Sequence, residues 1–446
     1  MDALEHAPDV AAVLLTQAID IDSTNPIYYL GRAIALMKDA QYLAALRDFD
    51  CASSKESYEN TVPVCLQTAR CRLLLGSPAT ALIAAEEALF IDPLDERAKE
   101  LKTRIQDIEA QQIVYKTSIS RNLWHMARGA YETCLEIYAK EDSDAPTEIR
   151  CWGIELLVVE RQWDSATKAA EMLLRDEPCS VEVMILRALV LFLQAKMEEA
   201  VAQLGTALDL DSDNPTAKVL CNRVKSTLSL KVAGTDAFLG GRWLEAIESW
   251  TRALEHVGEG EREGRGGLVR STLLFNRAVA YLKTHDFSSG LKDVNESLEL
   301  RPAYFKALLC RARIHVGLEL YESAIQDFEV SLDLGKTAMS PADKITVKTE
   351  LLAAAQAKER EVVQDHYTTL GLREDCSHQE IRRAYRTLSL KHHPDKGGSE
   401  EKFKLIANAY SILSNSSERN MYDVQRRWSR SPQASSFAGD YYHYAA

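Results

Sequence analysis

Two side chains able to hold or move a proton, His393 and Asp395, flank Pro394 toward the C-terminal end of this 446-residue chain. Proline fixes its own φ and has no amide hydrogen, so the tripeptide would present an imidazole and a carboxylate in set directions. One chemistry open to the pair is a catalytic dyad. Covalent catalysis needs a nucleophile within hydrogen-bond reach of the base, and no serine or cysteine nucleophile accompanies these two residues. The other is recognition: Arg382, Arg383, Arg386, Lys391 and Lys396 lie close by in sequence and would steer the tip toward an acidic surface. The bland alternative is an ordinary solvated basic face.

The elements that must hold the tip are legible. Ser377-His378-Gln379-Glu380 reads as a capping box, which starts a helix at that point. Pro394 ends the helix by His393, because the residue before a proline is disfavoured in the helical region. Within it Ile381, Ala384, Tyr385 and Leu388 recur at helical spacing as a core stripe. A second helix opens at Ser399, its first turn acidic with Glu400 and Glu401, and its stripe is Phe403, Ile406, Tyr410 and Leu413. Facing stripes make an antiparallel hairpin whose protruding end is Pro394 to Gly398.

Hydrophobic residues make up 46% of the chain, as in a folded protein, and its length allows several domains. The net charge of -13 argues against binding to nucleic acid or to an anionic membrane, and no apolar run would span a bilayer. Nine scattered cysteines with no Cys-x-x-Cys pair read as reduced thiols packed as small hydrophobes, with no metal site and no cofactor implied. Acidic residues from Asp2 to Asp22 interrupt any secretory apolar stretch, and the first residues read as the second half of a repeat.

A repeat precedes the tip. Small residues at Ala45, Ala81, Ala127, Ala166, Ala200, Ala246, Gly290 and Ala324 mostly follow an aromatic by three, as with Tyr42, Trp124, Trp163, Trp243, Phe287 and Tyr321. Ala166 to Ala200 and Gly290 to Ala324 are 34 residues apart, the tetratricopeptide period, in which each unit is a helical hairpin. Two intervals of 46, Ala81 to Ala127 and Ala200 to Ala246, imply lengthened helices through 96–114 and 216–231. The expectation is an all-α tetratricopeptide solenoid of about eight hairpins in three groups, 1–103, 104–226 and 227–338. A connecting helix over 339–364 follows, starting at Ser340-Pro341-Ala342-Asp343. The stretch Gly258 to Gly267 has no apolar periodicity and reads as a mobile, exposed loop. The tail 429–446 reads as disordered.

The C-terminal residues resemble the J-domain of DnaJ-like co-chaperones. The likeness rests on Asp365-His366-Tyr367 through Gly371, Ala384-Tyr385-Arg386, His392-His393-Pro394-Asp395-Lys396, Ala409-Tyr410 through Ser414, and Arg419-Asn420-Met421-Tyr422-Asp423. It implies a four-helix J-domain over 365–428 whose tripeptide and basic helix dock on a heat-shock-70 chaperone and stimulate its ATP hydrolysis, with no catalysis of its own. The order of parts resembles cytosolic type C co-chaperones that pass unfolded clients between heat-shock-70 and heat-shock-90 chaperones, in the cytoplasm and also the nucleus. An endoplasmic-reticulum relative with the same order of parts, and a repeat scaffold with little J activity, are the alternatives.

Repeats of co-chaperones often grip the Glu-Glu-Val-Asp tail of a chaperone with a carboxylate clamp. The last group resembles this clamp at Lys231, Asn276 and Lys306. It departs at Thr235, where asparagine is usual, and at Cys310, where an arginine is usual and Arg311 stands one residue out of phase. A one-residue shift turns a side chain by about 100° around a helix. With Gly31, Pro63 and Gln67 at the corresponding places, the first group carries no clamp.

Overall fold

The computed structural model describes residues 8–55, 61–141, 143–362, 366–392 and 400–429. Among these residues all regular structure is helical. A first helix, α1 (Pro8–Ile21), precedes eight helical hairpins. These are α2/α3 (Pro26–Lys38, Tyr42–Ser53), α4/α5 (Val62–Leu74, Pro78–Ile91), α6/α7 (Glu96–Ser120, Trp124–Ala139) and α8/α9 (Thr147–Val159, Trp163–Asp176). Then come α10/α11 (Val181–Leu193, Met197–Leu210), α12/α13 (Pro215–Leu239, Trp243–Val257), α14/α15 (Gly267–Lys283, Phe287–Leu300) and α16/α17 (Phe305–Gly317, Tyr321–Leu334). Helix α18 (Pro341–Val362) follows, then α19 (His366–Thr369), α20 (His378–Lys391), α21 (Glu400–Ser414) and α22 (Ser416–Ser429). The disordered tail expected over 429–446 lies, after Ser429, outside the described residues.

Each hairpin closes on the small residue singled out by the repeat. All seven alanine anchors have 0% exposure, because a larger side chain at this position would hold the two helices apart. Five residues before each anchor the chain turns through a left-handed residue: Ala40, Gly76, Asn122, Arg161, Ala195, Gly241, His285 and Glu319. Each turn is a Schellman motif. In the first, Ala40 N–H donates to Met37 O and Gln41 N–H to Leu36 O; in the last, Glu319 N–H donates to Val316 O and Leu320 N–H to His315 O.

The two stretches of 46-residue spacing lie in two 25-residue helices, α6 and α12. Asp95 caps α6 by accepting from Ala98 N–H, and the stripe Ala98, Leu101, Ile105, Ile108 and Tyr115 runs along its buried face without a proline or glycine to stop it. Helix α18 begins as its sequence directs, Ser340 Oγ accepting from Asp343 N–H at 3.1 Å.

The chain divides into two compact units, residues 1–229 with 253–270, and 230–252 with 271–446. The first is built on the alanine-rich core of α4 to α8, in which Tyr115 and Trp152 stack with centroids 4.0 Å apart. Its last segment corrects the sequence reading of Gly258 to Gly267 as a mobile loop. Residues Glu261–Gly266 form a 3₁₀ turn folded onto the repeats of the same unit. Arg262 pairs with Glu155 of α8 at 3.0 Å, Arg223 holds Glu263, and Trp124 Nε1 donates to Glu261 at 3.2 Å. The glycines mark close approach. A Cβ on Gly264, whose φ is +57°, would stand 2.7 Å from both Val158 O and the Trp163 ring, and one on Gly267 would stand 2.6 Å from Leu193 O. Two ion pairs, one indole hydrogen bond and close backbone contact at two glycines hold in place a segment without apolar periodicity.

The second unit carries the last two and a half hairpins, α18 and the C-terminal helices. In α12/α13, Gly234 faces the Trp250 indole, whose Nε1 donates to Lys231 O at 3.4 Å. Two arginine–aspartate pairs tie the following hairpins together. Arg277 of α14 grips both carboxylate oxygens of Asp293 on α15, and Arg311 of α16 grips both of Asp327 on α17. Arg32 and Asp48 do the same in α2/α3, so the same register, 16 residues apart, recurs.

Candidate functional site

The C-terminal helices surround one small core of Tyr367, Leu370, Cys376, Ile381, Ile406, Ala409, Leu413 and Tyr422. The capping box forms as its residues require. Glu380 N–H donates to Ser377 Oγ at 3.3 Å, and Ser377 N–H donates to the Glu380 carboxylate at 2.7 Å, which holds that carboxyl below the usual range. Helix α20 therefore starts at a fixed point and buries Ile381, while Ala384, Tyr385 and Leu388 pack against the core. Tyr385 stacks on Tyr410 of α21, the rings 4.1 Å apart and 16° from parallel, which sets the two helices side by side as the facing stripes demand.

The opposite face of α20 is cationic. Arg382, Arg383, Arg386 and Lys391 are all exposed, and none forms an ion pair with another described residue. Four cations on one helix with a single acid, Glu380, leave a positive surface available to a partner. His393, Pro394, Asp395 and Lys396 lie outside the described residues, so their contribution rests on the sequence; α20 ends at Lys391 and α21 opens at Glu400, on either side of them.

One feature of this unit was not assigned from sequence. Arg419 of α22 donates through Nε to Tyr367 Oη at 2.8 Å and through Nη2 to the Glu374 and Cys376 carbonyls. Tyr367 Oη donates in turn to Asp423 at 2.9 Å, and His366 N–H donates to Tyr422 Oη. Residues 52 to 56 positions apart are thereby stitched together, so the base beneath α20 and α21 is rigid. The paired motifs His366-Tyr367 and Arg419 to Asp423 were visible, but which atoms they join depends on how α22 packs.

The four residues compared from sequence with a carboxylate clamp occupy the first helices of successive hairpins: Lys231 on α12, Asn276 on α14, Lys306 and Arg311 on α16. Lys306 is exposed; Lys231 and Asn276 are half-buried, and no described residue bonds to the side chains of these three. Arg311 differs, its guanidinium being held by Asp327 at 2.7 and 2.8 Å and by Asn295 at 3.0 Å. Cys310, in the position an arginine would take, is buried, and desolvation pushes its thiol up to about 12.

In its order of parts, tetratricopeptide hairpins followed by a small helical core with a basic helix, the chain is similar to type C J-domain co-chaperones, and residues 365–423 match the family model of the DnaJ domain. The chain is similar to the DnaJ homolog subfamily C member 7 homolog of Schizosaccharomyces pombe, 30% identical over 273 residues that span 60% of this chain and 55% of that protein. It is similar also to DnaJ homolog subfamily C member 7 of Homo sapiens, 26% identical over 417 residues, 92% of this chain and 80% of that one. In fold it is like the crystal structure of the P58(IPK) TPR domain, with a TM-score of 0.51 at 16% identity over 80% of this chain and 95% of that one.

Proposed function

We propose that the chain docks on a heat-shock-70 chaperone through α20 and His393-Pro394-Asp395-Lys396 and raises that chaperone's rate of ATP hydrolysis. The observation that carries this reading is the cationic face of α20, with Arg382, Arg383, Arg386 and Lys391 exposed and unpaired among the described residues. A helix this firmly capped and packed presents its charges without ordering them anew on binding, which favours association. The chain supplies no reacting group; the nucleotide chemistry belongs to the partner. In a single-turnover ATPase measurement, Arg382→Glu with Arg386→Glu is expected to weaken stimulation by roughly tenfold or more, most strongly at low salt. Stimulation equal to that of the unaltered chain would remove α20 from the docking surface.

The repeats hold the acidic tail of a chaperone or an unfolded client, assisting transfer between heat-shock-70 and heat-shock-90. Lys231, Asn276 and Lys306 support this, being polar groups on consecutive first helices with no internal partner among the described residues. Lys306→Ala is expected to lower the affinity of the full chain for a Glu-Glu-Val-Asp peptide by roughly fivefold. Unchanged affinity in a calorimetric titration would take Lys306 out of the site. The cytoplasm is the setting that fits nine free thiols, seven of them buried.

A further inference from the structure

The carboxylate site of the last repeats lacks one cation where Cys310 stands, and Arg311 does not replace it. Its guanidinium is spent on Asp327 in the same bidentate pairing that Arg277 makes with Asp293 and Arg32 with Asp48. Three occurrences in one register make the pair a device that joins the two helices of a hairpin. Relative to Lys306, Arg311 is five residues on, about 140° around the helix, whereas Arg313 is seven on and within roughly 20° of it. The exposed side of α16 thus carries Lys306 and Arg313 in one line.

Arg313 has a partner of an unusual kind. Both oxygens of Glu350 accept from it, Nε at 3.0 Å and Nη2 at 3.2 Å, and the two side chains keep 42% and 31% of their surface exposed. Glu350 comes from α18, outside the hairpins. That helix is fixed by Val347, Leu351 and Ala354 packed against Ala312, Ala324 and Phe328, which leaves Glu350 at the margin of the buried stripe and beside Arg313. A carboxylate is therefore already seated on the one arginine that shares the face of Lys306.

We infer that Arg313 is the third cation of this carboxylate site, beside Lys231 and Lys306, and that Glu350 is its resident counter-ion, displaced when an acidic peptide with a free C-terminal carboxylate binds. The arrangement rests on the proposed reading of Lys231, Asn276 and Lys306. It tunes that reading: an incoming carboxylate must exchange for one already in place, so affinity is held down until Glu350 is released. A guanidinium in this geometry receives a second carboxylate through the same two parallel donors.

The test is titration of a Glu-Glu-Val-Asp peptide, and of the same peptide with its C-terminus amidated, into the full chain and its variants. Glu350→Gln is expected to tighten binding by roughly two- to fivefold, the range an exposed ion pair can withhold. Arg313→Ala is expected to weaken binding by roughly fivefold or more, and Glu350→Gln to give no gain in that background. Amidation is expected to abolish the difference between the unaltered chain and Arg313→Ala. Binding unchanged in both Arg313→Ala and Glu350→Gln, with Lys306→Ala weakened, would overturn the role of Arg313 and leave the site standing. No binding to the unaltered chain or to Glu350→Gln would overturn both.

Discussion

A chain carrying Asp395→Asn or His393→Gln is expected to leave the ATPase of a heat-shock-70 partner at its unstimulated rate. Both substitutions keep size and nearly keep shape, and they leave unchanged the core residues Tyr367, Ile381, Ile406, Leu413 and Tyr422 that hold the C-terminal helices together. The change is confined to charge and proton-bearing groups beside a proline whose φ is set by its ring. A docked carboxylate that meets a donor on its partner contributes through a charged hydrogen bond, and replacing it with an amide leaves that donor facing a second one. The measurement is single-turnover hydrolysis with the full chain, together with circular dichroism to show that helix content is kept. Stimulation close to that of the unaltered chain would sink the proposal that this tripeptide acts on the partner, whereas loss of stimulation with Arg382 and Arg386 intact would separate its role from that of steering charge.

Asp327→Asn is the second large effect, and it falls on stability. The Asp327 carboxylate has only 8% of its side chain exposed and accepts from Arg311 at 2.7 and 2.8 Å. His315 Nδ1 lies 3.2 Å from the same group. Burial by itself would push the carboxyl up, but His315 and Arg311 together hold it below the usual range. Replacing it leaves a partly buried guanidinium without its counter-charge, a loss of roughly 3 kcal/mol. Because the folded carboxyl titrates below the unfolded one, the stabilisation is complete at neutral pH. It fades only as pH falls below about 4 and through the folded value. Urea denaturation of the full chain at pH 7 and at pH 3 checks both parts, with Asp327→Asn expected to lower stability markedly at the first and far less at the second. Equal stability of the two proteins at pH 7 would show that the pair does not hold the hairpin.

Much of the fold could be read from residue spacing because the signals are local. Alanine or glycine in a fixed place lets two helices touch, Ser377 with Glu380 caps a helix, and Asp95 followed by an unbroken apolar stripe extends one. The left-handed turn in each hairpin was less legible, since only Gly76 and Gly241 among the eight turn residues are glycine. At Arg161 or Glu319 the backbone is held by its Schellman hydrogen bonds and by the packing of the helices on either side, at a local cost of about 1 kcal/mol each. Gly258 to Gly267 misled for the converse reason. Its glycines and alternating charges have the composition of a loose loop, and their contacts, Glu155, Val158, Trp163, Leu193 and Arg223, lie 40 to more than 100 residues away in the chain.

By itself the sequence determined the repeat, its eight hairpins, the capped basic helix and the His393-Pro394-Asp395 tripeptide, because helix periodicity, caps and breakers act over a few residues. Tertiary structure alone decided where charges go. Arg311 is consumed by Asp327, Arg313 meets Glu350 of α18, and Arg419 reaches Tyr367 and the Cys376 carbonyl. An arginine side chain is long and its nearest carboxylate is chosen by how helices distant in sequence pack, so spacing can place the cation on a helix face but cannot say which anion it will hold.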